Sequence, residues 1–178
     1  MKMFTRMALV MVALLVAVRP AHAQTVGLAD NAHAGITSAG AFVGLEFDNP
    51  DHALLLGGDA RIRFGQTNLE INPRFSFRPF DDGSVQQLDI NALTNYRLAN
   101  PGRFRPFSGL GLGIHHLSYK APSKATSTSN MGLNLVSGVR LAMRPGAAYE
   151  PFLQAQYTIM KKPGNSFTLV FGASFSFK

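Results

Sequence analysis

The last stretch of the chain, Phe167 to Phe177, constrains the fold most. Phe167, Leu169, Phe171, Ala173, Phe175 and Phe177 alternate with Thr168, Val170, Gly172, Ser174 and Ser176. Alternation over a whole segment marks a strand, because successive strand side chains point to opposite faces. One face is bulky, apolar and uncharged, and the other is slim. A tilted strand of about 9–11 residues crosses a bilayer in a barrel. The same pattern suits the final strand of a soluble sandwich, so the rest of the chain decides.

The other end reads as an export signal. Lys2 and Arg6 precede the apolar run Met7 to Val18, and Arg19, Pro20 and Ala21-His22-Ala23 follow. A basic start, a short apolar run and a small-x-small site predict a secretory signal peptide over 1–23, cut after Ala23. Its 12 apolar residues fall short of the roughly 20 that a spanning helix needs. There is no Cys, which excludes a lipoprotein anchor, disulfides and thiolate metal sites. Signal removal takes three of the 17 basic residues and leaves 14 against ten acidic ones, a net charge of +4. That excess suits contact with anionic lipid head groups. The export signal and the lack of any Lys/Arg-rich block argue against a nucleic-acid partner.

The mature chain is one domain by length, with 24–37 expected as an N-terminal periplasmic tail and 38–178 as a barrel. No later apolar run approaches 18 residues, yet 46% of the chain is hydrophobic and only 15% charged. Eight alternating segments follow: 39–48, 54–64, 69–78, 87–98, 107–119, 133–141, 152–159 and 167–177. Turn residues separate them, as in Asp48-Asn49-Pro50-Asp51, Asp81-Asp82-Gly83, Asn100-Pro101-Gly102 and Pro163-Gly164-Asn165. Pro73 predicts a bulge in the third strand, because proline cannot donate to the ladder. Lys120 to Asn130 is read as the longest and most polar connection. The expected fold is all-β: an eight-stranded antiparallel up-and-down transmembrane β-barrel.

A soluble barrel hides its apolar face, whereas a membrane barrel turns it outward. Here the apolar face is nearly free of charge. The other face carries Gly, Ser, Asn and Gln with mixed charges: Glu46, Asp59, Arg61, Arg63, Glu70, Arg74, Asp89, Arg97 and Arg140. A cation at mid-bilayer on the apolar face would cost about 2–4 kcal/mol. Aromatics near the strand ends (Phe64, Phe77, Tyr96, Tyr119, Phe167, Phe177) suit interfacial girdles. Eight strands leave an interior that side chains fill, so the charges are expected to pair into a plug rather than line an open porin. Glu46 with Arg61 or Arg63 is one expected pair. Gly109, Gly111 and Gly113 leave room inside.

Arg105-Pro106-Phe107-Ser108-Gly109-Leu110-Gly111-Leu112-Gly113 resembles a strand of small outer-membrane β-barrels of the OmpA transmembrane-domain and opacity-protein type. Glu150-Pro151-Phe152 resembles the matching later strand. Gly172-x-x-Phe175-x-Phe177 resembles the C-terminal signal read by the barrel-assembly machinery, although that family ends on the aromatic and here Lys178 follows. The resemblance implies an integral protein of the outer membrane, periplasmic termini, and 48–52, 78–84, 119–131 and 161–166 outside the cell. Implied partners are outer-membrane lipid, lipopolysaccharide and the assembly machinery, with host or phage surface ligands at the loops. The chain is expected to act as a monomer with a structural or surface-interaction role, without cofactor, metal or catalytic residues.

His115-His116-Leu117-Ser118 is the one chemically suggestive stretch. His116 and Ser118 share the lipid-side face, where a His–Ser couple could deacylate lipid A. Deacylases of the PagL type resemble this in being eight-stranded barrels with a His-x-Ser motif. Their motif lies in a later strand and is followed by Asn, whereas Tyr119 follows here. No acidic residue stands at a comparable spacing, and Asn130 is the nearest candidate. The favoured reading makes His116 and Ser118 interfacial polar residues and His115 a lumen or rim residue. His33 and His52 lack metal-ligand spacing. An outer-leaflet acyl hydrolase and a soluble exported barrel binding an apolar ligand are the alternatives.

Overall fold

The computed structural model describes residues 34–47, 52–65, 67–96, 103–120, 125–144, 147–161 and 164–177. The expected signal peptide and tail residues 24–33 lie outside them. The strands are β1 (Ala34–Phe47), β2 (His52–Phe64), β3 (Leu69–Phe80), β4 (Gly83–Asn95), β5 (Phe104–Lys120), β6 (Ala125–Leu141), β7 (Tyr149–Met160) and β8 (Ser166–Ser176). Each pairs antiparallel with its neighbour in sequence, and β8 returns to β1. The closing seam runs without a register shift from Ser38↔Ser176 to Phe47↔Phe167. Closure leaves no sheet edge, the condition for a sheet to exist in hydrocarbon, where an unpaired backbone group is costly.

The pleat sends alternate residues out and in, as the alternation of the terminal strand requires. Phe171 is 60% exposed and Leu112 58%, while Arg61 is 1% and Arg74 3% exposed. Val43, Leu56, Ile90, Leu135 and Leu153 complete the apolar exterior. Glu70, Asn72, Asp89, Asn91 and Asn134 are buried in the lumen. This is the opposite of a water-soluble barrel, so the chain is built for lipid around it. Exposed aromatics ring both ends, with Phe64, Tyr96, Phe104 and Tyr149 where β1 begins and Phe47 and Phe167 at the far end.

Three boundaries differ most from the sequence expectation. β1 opens at Ala34, so Ala34–Thr37 belong to the barrel rather than to a tail. β4 opens at Gly83, four residues before the expected start at Gln87. β6 opens at Ala125, so most of the supposed connection 120–130 is strand, in register from Lys120↔Ala125 to His115↔Asn130. Thr126 to Ser129 are all exposed. The β5–β6 hairpin therefore stands clear of the apolar band, where water meets both faces and no apolar alternation is needed.

The expected bulge at Pro73 is absent. The β2–β3 register is the same on both sides of it, Asp59↔Arg74 and Ile62↔Ile71. Asn72 Nδ2 donates to Ala60 O at 2.9 Å, filling the acceptor that lies opposite the proline. The shift falls instead in β1, between Ile36 and Ser38. At the expected β2–β3 turn, Gly65 takes a positive φ of 53°, a conformation that side-chain-bearing residues resist.

Candidate functional site

The lumen is best followed from the end where β1 begins and β8 finishes. There Glu70 of β3 is the hub. Its carboxylate accepts from Arg63 of β2 and from Arg140 of β6 across the barrel, and Arg61 lies 3.6 Å away. Arg61 also lies 3.8 Å from Asp59. The guanidinium planes rest on inward rings: Arg61 over Phe107 and Phe152 at 5.2 and 5.5 Å, and Arg140 over Phe107 at 5.0 Å. Such stacking attracts a cation to the ring face while burying it away from water.

The middle layer is mostly amides around one carboxylate. Asp89 accepts from Gln87 at 2.7 Å, Asn134 at 2.9 Å and Gln156 at 3.1 Å. Thr158 donates to Asn134 Oδ1 at 3.0 Å. Asn72 donates to Asp59 at 2.9 Å. Arg74 lies between Asp59 and Asp89 in cross-strand register and sits 4.1 Å above the Phe42 ring. Space for this layer comes from β5: a Cβ at Gly111 would overlap Asn91 Oδ1, and one at Gly113 would overlap Asp89 Oδ1.

The far end is different. Above the amide layer the inward side chains stop filling the lumen, leaving a cavity of about 650 Å³. On its lining Arg78 Nε lies 3.3 Å from a Glu46 carboxylate oxygen. His115, buried, and Asn130 line one side. Phe80 and Tyr119 line another, with ring centroids 5.3 Å apart and planes tilted by 59°. Met160 and Asn165 come from the β7–β8 end. Charge, amides and aromatic surface thus converge in one concave space.

No protein-family model and no curated protein sequence matches the chain. Solved structures do. The N-terminal β-barrel domain of Pseudomonas aeruginosa OprF aligns over 79% of this chain and 98% of its own, at 16% identity and a TM-score of 0.59. Neisserial surface protein A aligns over 82% and 99%, at 14% identity and a TM-score of 0.62. Ail of Yersinia pestis, in complex with the heparin analogue sucrose octasulfate, aligns over 83% and 100%, at 14% identity and a TM-score of 0.60. At these identities the likeness is one of fold. The chain shares the eight-stranded fold of these small outer-membrane β-barrels. Its apolar exterior around a polar interior is that of a barrel that faces lipid.

In this barrel the expected pairing of Glu46 with Arg61 or Arg63 does not occur. Glu46 lies opposite Ala53 at the far end of β1, whereas Arg61 and Arg63 pair near the start of that strand, beside Ser38 and Gly35. At about 3.4 Å per residue they are too distant, and Glu46 meets Arg78 of β3 instead. His116 and Ser118 lie on the outward-facing register of β5, as expected. The His116 ring, however, bonds Ser129 Oγ of β6 at 2.8 Å through Nδ1. Asn130 cannot serve as their third member, because it pairs with His115 and lines the cavity on the opposite face. His115 is a lumen residue. His52 opens β2 beside Phe47, ring centroids 5.8 Å apart, and His33 lies outside the described residues. The Arg–Phe stacks went unforeseen, although Phe42, Phe107 and Phe152 share the parity of the charged face and could have signalled them.

Proposed function

We propose that this barrel is closed by its own side chains and works at the cell surface through its far end, binding rather than conducting. One observation carries the reading. Glu70 and Arg140 join across the lumen near one end, Asp89 gathers three amides in the middle, and a lined cavity opens above them. Water-filled passage would require breaking buried ion pairs, at about 3–5 kcal/mol for each partner removed. The reading includes cleavage of residues 1–23 during export, assembly through the β8 strand, periplasmic termini and an exterior far end. The likeness in fold to OprF, NspA and Ail supports the outer-membrane setting of this reading. Lipopolysaccharide around the rim, and host or phage molecules at the mouth, are the partners it implies. Planar-bilayer recording of the refolded mature chain tests it: an electrically silent bilayer is expected, and steady unitary steps would refute closure. Protease added to intact cells should cut the β5–β6 hairpin and leave the β2–β3 turn whole.

A second reading rests on the His116–Ser129 bond. It makes Ser129 the nucleophile and His116 the base of an outer-leaflet acyl hydrolase. The register neighbours of His116 are Gln86 and Ser129, neither acidic, so the binding reading is preferred. Mass analysis of lipid A from cells expressing wild type or Ser129→Ala separates the two, and an identical acyl pattern removes the hydrolase.

A further inference from the structure

The cavity at the far end has a chemistry of its own. Its volume of about 650 Å³ lies within the range of small-ligand sites, which pair apolar walls with a few convergent polar groups. Phe80 and Tyr119 supply a tilted aromatic pair. Glu46 supplies carboxylate acceptors, Arg78 guanidinium donors, and Asn130 an amide that can do both. The ion pair makes this set electrically neutral. A wholly apolar ligand would set its surface against the Glu46–Arg78 ion pair and offer it no polar group, an unfavourable match.

A polyanion fits no better. Asp81 and Asp82 are exposed on the β3–β4 turn, next to Phe80. The segments 46–52, 78–84, 115–131 and 160–166 carry five acidic and five basic residues, so the end has no net positive field. Contact with the outer leaflet brings the mouth among glycans, under the reading proposed above.

We infer that the far-end cavity is a binding site for an uncharged saccharide of one to three sugar units. A sugar ring has an apolar CH face for Phe80 and Tyr119 and a rim of hydroxyls that both donate and accept. Those hydroxyls match the Glu46, Arg78, Asn130 set, and no ligand charge is left to balance. The site owes nothing to the sulfated ligand of Ail, whose chemistry calls for cations this mouth does not hold in excess. The inference rests on the reading of the far end as a binding end.

The test uses the refolded mature chain in lipid nanodiscs. It is offered neutral hexose and N-acetylhexosamine mono- to trisaccharides, with sucrose octasulfate as the polyanion, and binding is read by saturation-transfer NMR. At least one neutral sugar should bind, and Tyr119→Ala and Asn130→Ala should each weaken it at least tenfold. Both residues lie at the mouth, away from the Glu70 and Asp89 networks. Heat-modifiable migration confirms that the variants fold, and Tyr119→Leu replaces Tyr119→Ala if the latter does not. Absence of any neutral-sugar binding by a folded, non-conducting barrel overturns this inference alone. Preference for sucrose octasulfate overturns it too, as does neutral-sugar binding indifferent to all these substitutions. Channel conductance by the same nanodisc protein would instead refute the closed-barrel reading beneath it.

Discussion

The two halves of the lumen handle the same problem differently. Near the chain ends Glu70 is shared by Arg61, Arg63 and Arg140, and two of those guanidinium groups are stacked on Phe107. At the far end the Glu46–Arg78 pair borders open space. Where no water reaches, every charge must find protein partners, and the strands supply them from opposite walls. At the far end the charged pair lines a cavity that a ligand can enter. Closure and recognition are thus separated along one cylinder.

Substitutions should grade along that axis. The largest effect is expected from Glu70→Ala, which leaves Arg61 and Arg140 buried without their shared carboxylate. A loss of about 3–5 kcal/mol is expected, read from the denaturant midpoint of the refolded barrel in detergent. A loss comparable to that of a surface pair would dissolve the contrast. Leu112→Arg should cost about 2–4 kcal/mol, since residue 112 lies midway along β5 on the lipid face. Its penalty should shrink when the same change is made at Ser118, on the same face near the end of β5. Asn134→Ala removes a donor to Asp89 and the acceptor of Thr158. Equilibrium unfolding should report a loss of about 1–3 kcal/mol. Arg78→Ala should cost about 1–3 kcal/mol, less than Glu70→Ala, because one contact to Glu46 is lost at the cavity wall. If Arg78→Ala instead matched Glu70→Ala, the far end would be as closed as the rest.

Which face looks outward was readable because the pleat forces it: parity along β5 and β8 already separates Leu112 and Phe171 from the Gly, Ser and Thr between them. Strand ends were harder. The Thr126–Ser129 stretch pairs as strand beyond the membrane, where no apolar alternation records it. Pairing partners were not readable at all. Glu70 and Arg140 are 70 residues apart and meet only through the shape of the closed barrel, and Glu46 meets Arg78 for the same reason. The site shows the same division. Parity put His115 inside and His116 outside, but the bond from His116 to Ser129 and the cavity between Asn130 and Tyr119 depend on how β5 and β6 pair. Pro73 predicts a bulge only if nothing else can serve Ala60 O, and Asn72 does.

The inversion itself can be measured directly, and a chain without cysteine makes single labels unambiguous. Nitroxide labels placed one at a time from Phe167 to Phe171 in liposomes should show oxygen accessibility peaking at Phe167, Leu169 and Phe171. Thr168 and Val170 should be shielded from both oxygen and a water-soluble nickel reagent. An oscillation in the opposite phase, with the nickel reagent reaching Phe171 and oxygen favouring Val170, would contradict a lipid-clad exterior around an ionic interior.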